Sequence, residues 1–135
     1  MAGPLYDELL IRRTVSPATR ANGTVNGVAV NLGPTGADSA VVAFVTGAIT
    51  DGSHAAAIEE SDTGTGGWTA VPAGRLQGAV PTITTSDNNT QFEVGVTVAK
   101  QYLRAVVVTT GATTGGVVAA VIAAGQPGQT PVSHA

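Results

Sequence analysis

Hydrophobic and polar residues alternate with a period of two along most of this chain, which is the pattern of half-buried β-strands. The clearest example is QFEVGVTV at 91–98, in which Phe92, Val94 and Val96 share one side of the chain. GVAVNL at 27–32 and QYLRAVVV at 101–108 follow the same alternation. The hydrophobic pattern therefore predicts β-strands, and long helices have no counterpart in it.

The stretches between these strands are rich in Gly, Pro, Asn, Asp, Ser and Thr. Asn22-Gly23, Asn26-Gly27 and Asp51-Gly52 are pairs that tolerate positive φ and so favour tight turns. Short strands that alternate with such turns are typical of sandwiches and jelly rolls, whereas βαβ units need helical segments between strands. We predict an all-β protein, a single-domain, jelly-roll-like β-sandwich over residues 17–125.

One short sequence occurs twice: TGAITDG at 46–52 returns as TGATTGG at 110–116. Strand-like residues flank both copies, and Asp51-Gly52 or Gly115-Gly116 could form a two-residue turn. The repeat therefore predicts two similar β-hairpins, with Ile49 opposite His54 in the first. We interpret the repetition as scaffolding and not as a duplicated site.

The two ends of the chain do not follow the strand pattern. Residues 1–16 are predicted to form an N-terminal arm, in which GPLYDELLIRR at 3–13 is either a helix or an extended lead into a first strand. Residues 126–135, QPGQTPVSHA, lack any period and are predicted to form a flexible C-terminal tail.

Composition adds an expectation about assembly. Only 11% of the 135 residues are charged, against roughly 25% in typical soluble domains, and aromatic residues make up 4%. Much of the hydrophobic content is Ala and Val, which contribute less buried apolar area per residue than Leu or Phe. A thin core and a charge-poor surface favour a homo-oligomer, in which contacts between subunits supplement the core.

Charge and hydropathy exclude two classes of partner. The net charge of −3, with Lys100 as the only lysine, argues against nucleic acid as a partner. The most apolar run, VVAAVIAAG at 117–125, is much shorter than the ~20 residues that cross a bilayer, so no membrane contact is expected. The first residues, MAGPLYDELL, carry acids where a signal peptide would carry Lys or Arg. We expect a soluble protein that folds in the cytoplasm, which also fits the absence of Cys.

No motif in the sequence indicates an enzyme, a cofactor or a metal. His54 is followed by Glu59, Glu60 and Asp62, but Glu59 would face away from His54 and Glu60 on one extended strand. Zinc usually needs three or four converging ligands, and the serine hydrolase motif G-x-S-x-G does not occur. We expect His54 to lie at a sheet edge beside solvated acids.

Trp68 is the single tryptophan, in the Gly-rich segment TGTGGWT at 63–69. This segment lacks both the G-x-G-x-x-G pattern and the Walker Gly-Lys-Ser/Thr, so a phosphate site is not indicated. Trp68 is interpreted as a core or subunit-contact residue, with stacking on a ligand such as a sugar ring as the alternative.

Two long stretches carry a resemblance to a known family. GAITDGSHAAAIEESDTGTGGWTAVPAGRLQGA and KQYLRAVVVTTGATTGGVVAAVIAAG resemble the small β-rich capsid decoration, or cement, proteins of tailed bacteriophages. The resemblance covers about 37–125 and includes no catalytic signature.

The resemblance implies a trimeric β-sandwich on the outer surface of an icosahedral virion, made in the bacterial cytoplasm. Its partner would be the major capsid protein, bound after the shell expands and stabilised against the pressure of the packaged DNA. Because the chain ends of such proteins often touch the shell, we predict contacts with the capsid or between subunits at the following residues: Leu5, Tyr6, Leu9, Leu10, Ile11, Trp68, Pro127, Pro131 and Val132.

Two other functions remain open on the sequence. One is a carbohydrate- or receptor-binding β-sandwich, which requires Trp68 to be exposed in a groove. The other is a phage tail or head-completion subunit, for which a larger ring would be expected.

Overall fold

The computed structural model describes residues 5–33 and 36–125. Within these ranges the chain begins with a short helix, α1 (Leu5–Glu8), and contains two 3-10 turns, Ala73–Arg75 and Thr85–Asp87. The strands are β1 (Leu10–Arg20), β2 (Gly23–Asn26), β3 (Val30–Asn31), β4 (Ser39–Ile49), β5 (Ser53–Ser61), β6 (Thr69–Ala70), β7 (Leu76–Gln77), β8 (Thr82–Ile83), β9 (Gln91–Thr97), β10 (Tyr102–Thr110) and β11 (Gly116–Gly125).

The strands form two antiparallel sheets. Sheet A has the order β1-β11-β4-β9-β7, and sheet B has the order β2-β10-β5-β6, with β3 pairing to β10 and β8 to β5. From β4 onward the longer strands alternate between the sheets along the chain, with β4, β9 and β11 in sheet A and β5 and β10 in sheet B, which is the connectivity of a jelly roll. The predicted all-β, jelly-roll-like sandwich is confirmed.

The core lies between the inward faces of the two sheets. In β4 the residues Ala40, Val42 and Phe44 point inward and are buried, and the odd-numbered residues between them point outward. Phe44 is the largest fully buried side chain, and most of the other core residues are valine and alanine. Buried apolar surface stabilises a fold by about 25 cal/mol per Å², and in this core that surface is contributed by many small side chains.

The repeated sequence does not form hairpins. β4 belongs to sheet A and β5 to sheet B, so the first copy carries the chain across the sandwich, and the second copy does so between β10 and β11. Ile49 pairs with Gly116, and His54 pairs with Thr109. The hairpin prediction was wrong because alternation shows which side of a strand is buried, but not in which sheet its neighbour lies.

The two copies of the repeat meet at one end of the sandwich and bind each other. The Asp51 carboxylate in the first corner accepts backbone N–H groups of Thr113, Thr114 and Gly115 in the second, at 2.7 to 3.1 Å. The Gly115 carbonyl in turn accepts the N–H of Thr50 at 3.0 Å. The repetition is therefore structural, as interpreted, but it joins the two sheets.

Gly115 is required by this junction. Its φ is +99°, a conformation that favours glycine, and a Cβ there would overlap the carbonyl oxygen of Arg20. The hydrogen bonds from Gly115, then Thr114 and Thr113, lower the pKa of Asp51 below its ordinary value of 3.8. The ionised carboxylate is thus the form that joins the corners.

The predicted boundary between arm and sandwich, at residues 16 and 17, falls inside β1. This strand runs from Leu10 to Arg20 at the edge of sheet A and pairs with β11. Both alternatives for the N-terminal segment occur in succession, because α1 ends at Glu8 and the strand begins two residues later. Pro17 lies within the second of two register shifts, between Val15 and Ala18, where an edge strand tolerates a residue without an N–H group.

Candidate functional site

The outer face of sheet A is aliphatic. Ile11, Val41 and Val45 are 55%, 38% and 45% exposed, respectively, and the outward residues of β11 between them are half-buried. Strand pairing places all of these residues on one surface. We define the sheet A face as Ile11, Val41, Ala43, Val45, Val117, Ala119, Val121 and Ala123. This surface is the candidate contact site.

One row across the sheet A face carries opposite charges at its two ends. The register aligns Arg13 with Val121, Val121 with Ala43, and Ala43 with Glu93. Arg13 and Glu93 are exposed. Among the residues that the structure describes, neither side chain has a hydrogen bond or an ion pair. This row is therefore charged only at its two ends.

The predicted contact residues near the N-terminus divide between this surface and the core. Tyr6 is 68% exposed, and Ile11 is part of the sheet A face. Leu9 is half-buried beside the outward side of Gly125, where a Cβ would lie 3.7 Å from its Cδ1. Leu10 is the first residue of β1, and its side chain points into the core. It is buried there and is not available to a partner.

The remaining predicted contacts at the chain ends are not described. The Leu5 side chain lies outside the described part, as do Pro127, Pro131 and Val132 in the residues after Gly125. The described ends of β1 and β11 lie side by side, since Leu10 pairs with Ala124. The chain therefore enters and leaves the sandwich at the same corner, next to the sheet A face.

Trp68 lies on the other side of the molecule, immediately before β6 of sheet B. It is half-buried and outside the core, and the guanidinium carbon of Arg104 lies 4.2 Å from its ring centroid. Arg104 also donates from Nε and Nη2 to Oε1 of Glu59, at 2.9 and 2.6 Å. Trp68 is therefore not a core residue, and the cation–π contact occupies one face of its ring. Its role as a subunit contact stays a prediction.

His54 lies inside the protein, not at a sheet edge. It is fully buried because β5 is flanked by β10 and by β6 and β8, and its inward residues meet the core. Its Nδ1 is 2.8 Å from Oγ1 of Thr109, and its Nε2 is 3.1 Å from the carbonyl oxygen of Asp51. A carbonyl oxygen only accepts, so Nε2 carries a proton and His54 fastens the first corner.

The acids near His54 are also mostly paired rather than solvated. Buried Glu60 forms an ion pair with Arg75, and Arg75 donates from Nη1 to the carbonyl oxygen of Thr97 at 3.0 Å. Glu59 is bound to Arg104, and Asp62 is exposed, 3.8 Å from Lys100. Within 5–33 and 36–125, no group of three His, Cys, Asp or Glu side chains could hold a metal ion.

The sheet A face was missed by the sequence reasoning, although a signal existed. The runs AVVAFV in β4 and VVAAVIAA in β11 are apolar on both sides of the strand, whereas β9 alternates apolar with polar residues. Such continuous runs are typical of strands that are covered on both faces. Their presence in an antiparallel sandwich indicates an outer face suited to a partner.

Comparisons with known proteins support the fold. No protein-family model matches the chain, and no curated protein matches it by sequence. The solved structure of the PBSX exported protein XepA superimposes with a TM-score of 0.61 at 18% identity, covering 98% of this chain and 42% of XepA. The SPBc2 prophage-derived protein YomS gives a TM-score of 0.50 at 16% identity, covering 87% of this chain and 93% of YomS.

These similarities show the fold, and this chain spans about two fifths of the length of XepA. The described residues contain no helix long and apolar enough to cross a membrane.

Proposed function

We propose that this chain is a structural protein of a phage virion, which decorates the outer surface of the icosahedral head and stabilises the expanded shell. The observation that carries the proposal is the sheet A face, an aliphatic surface next to the corner at which the described chain begins and ends. Contiguous exposed apolar surface on a small protein usually marks an interaction site. The resemblance to cement proteins supplies the capsid as the partner.

Two further observations support a phage origin and a structural role. The similar folds of XepA and YomS belong to proteins whose names refer to PBSX and to an SPBc2 prophage. The largest buried polar groups, His54 and Glu60, are occupied by internal contacts with Thr109, Asp51 and Arg75. They fasten the sandwich instead of facing a cleft, which fits a protein whose role is to bind and hold.

Stabilisation follows from differential affinity. A protein that binds the expanded lattice more tightly than the unexpanded or ruptured lattice shifts the equilibrium toward the expanded shell. A typical stable contact buries about 800 Å² on each partner. Many copies on one head would add their contributions, so a modest affinity per copy would raise the resistance of the shell to internal pressure.

The direct test mixes the purified protein with expanded and unexpanded heads of the phage that encodes it, followed by co-sedimentation. We expect binding to expanded heads and a higher temperature of DNA release. Removal of residues 1–8 should weaken binding while leaving β1 intact, whereas removal of 1–13 would also strip Leu10 to Arg13 from β11. Failure of the full chain to bind either form of head would contradict the proposal.

A matched pair of surface variants locates the contact. Ile11→Ser on the sheet A face should weaken binding to heads, and Val108→Ser on the outer side of sheet B, 37% exposed in the native chain, should not. Equal effects of the two variants would count against the sheet A side as the site of shell contact. Thermal unfolding by circular dichroism verifies that both variants fold.

The position of Trp68 supports a second candidate function, the binding of a carbohydrate or a receptor. Its ring is half-buried at the outer side of sheet B, and Arg104 covers one ring face. The other face could stack on a sugar ring. A glycan array with the native chain and with Trp68→Ala tests this function: binding that is lost in the variant would support it, and no binding by the native chain would exclude it.

A further inference from the structure

The sheet A face is more apolar than the sandwich requires. Only the inward residues of β4 and β11 are needed to pack against sheet B, yet most of their outward residues are also Val and Ala. In β9 of the same sheet the outward residues include Gln91, Glu93 and Thr97. The apolar excess thus lies mainly on the two middle strands, with Ile11 of β1 beside them, where a second layer would cover it.

The row that runs from Arg13 to Glu93 across the sheet A face indicates what kind of surface could cover this face. Arg13 on β1 and Glu93 on β9 lie three strand spacings apart, about 14 Å, with Val121 and Ala43 between them. Neither charge is neutralised within the described residues. A complementary surface must present a carboxylate opposite Arg13 and a cation opposite Glu93, at the same separation and with aliphatic groups between.

A second copy of this chain has that arrangement. Consider a two-fold axis that runs parallel to the strands, in the plane between the two faces and above the boundary of β11 and β4. This rotation reverses the order of the row, so that each residue faces the residue at the opposite place in the row of the other copy. Arg13 then meets Glu93 of the second copy, Glu93 meets Arg13, and Val121 packs against Ala43 in the middle. We propose that two copies pair back to back through the sheet A face, with two Arg13–Glu93 ion pairs at its edges.

The size of the surface sets the expected strength. Four strands at about 4.8 Å and six residues at about 3.4 Å cover about 400 Å² in plan, less than the ~800 Å² per partner of a standard interface. Reversible pairing in the micromolar range is therefore expected. Because the pair covers the sheet A face, pairing competes with the proposed binding of that face to the shell. The proposal predicts an even number of copies, whereas the resemblance to cement proteins implies three.

Charge reversal provides the test, measured by sedimentation equilibrium over a range of protein concentrations. In Arg13→Glu both charges of the row are negative, and in Glu93→Arg both are positive. Each variant should pair with itself at least about tenfold more weakly than the native chain. An equal mixture of the two should pair again, because each copy then faces its complement, and the double variant R13E/E93R should pair like the native chain.

A matched control separates this geometry from net charge. Arg12→Glu makes the same change in charge one position away, where the register aligns the residue with inward-facing Ile122 instead of Val121. It should pair at nearly native strength. Circular dichroism verifies that each variant folds.

Three results would overturn the inference: a native chain that stays monomeric up to about 100 µM, a native trimer, or single reversals that the mixture and the double variant do not rescue. If reversal abolishes binding to phage heads and leaves self-association unchanged, the face belongs to the shell protein and the inference is wrong. A protein that pairs as proposed but ignores heads would contradict the proposed function and leave this inference standing.

Discussion

The outer faces of the two sheets differ in how their polar and apolar groups are satisfied. On sheet B, Arg104 is held between Glu59 and the ring of Trp68, so its charge is neutralised within the chain. On sheet A, Arg13 and Glu93 have no such contact within the described residues, and aliphatic side chains separate them. The outer arginine of sheet B is therefore paired within its own chain, whereas the outer face of sheet A has charged and apolar groups that a partner could contact.

This difference shows that burial of one side of a strand does not determine whether the residues on its other side are polar or apolar. Both sheets use alternate residues for the same core, but β4 and β11 place valine and alanine outside as well. A surface of this kind is consistent with contact between proteins, whereas the ion pair on sheet B stabilises the monomer. Two pairs of substitutions test this division, and a fifth substitution tests the junction between the sheets, in order of decreasing expected effect.

The largest effect is expected where β4 has an inward and an outward residue side by side. Phe44→Ala removes the largest fully buried side chain and should lower the free energy of unfolding by about 3–4 kcal/mol. Val45→Ala, on the sheet A face, should lower it by less than about 1 kcal/mol in the monomer. Chemical denaturation at low protein concentration measures both, and similar losses would show that the outward side also supports the folded monomer.

A smaller effect is expected for the paired arginine of sheet B. Arg104→Met removes two hydrogen bonds to Glu59 and the contact with Trp68, from a side chain that is 16% exposed, and should lower the stability by about 1–2 kcal/mol. Arg13→Met on sheet A should change the monomer by no more than about 0.5 kcal/mol. Equal changes in thermal unfolding would contradict the division between the two faces.

The third expected effect depends on pH and concerns the Asp51 junction, which joins sheet A to sheet B within one chain. The folded chain holds the pKa of Asp51 below 3.8, so the ionised carboxylate favours folding; its contribution is complete above that value and is lost as the pH falls through the lowered pKa. Asp51→Asn should therefore unfold at a lower temperature than the native chain at neutral pH, and the gap should close in acid. A gap that persists in acid would mean that the carboxylate charge does not join the corners.

Much of the fold could be predicted because it depends on local pattern. The alternation at 91–98 predicts β9, with Val94 and Val96 buried as expected. The Gly- and Asn-rich turns between short strands predict a sandwich, and the structure has that architecture. The predicted boundary of the arm failed because residues 10–16 gain their order from β11, a partner more than a hundred positions away.

The candidate site was harder to predict, because a contact surface depends on which strands are neighbours. Ile11, Val41 and Val121 come from three distant parts of the sequence and lie together only through the order β1-β11-β4. Trp68 and His54 show the same difficulty: each was assigned an environment from its own segment, and each is placed by a residue from β10, Arg104 or Thr109.

The sequence by itself determined that this protein is a sandwich of short strands with a core of small side chains, because alternation and turn composition are properties of neighbouring residues. Only the tertiary structure decided that the repeated sequence crosses between the sheets, that His54 is buried, and that Arg13 and Glu93 end one row. The reason is that strand pairing is non-local, and backbone hydrogen bonds have the same geometry whichever strands they join.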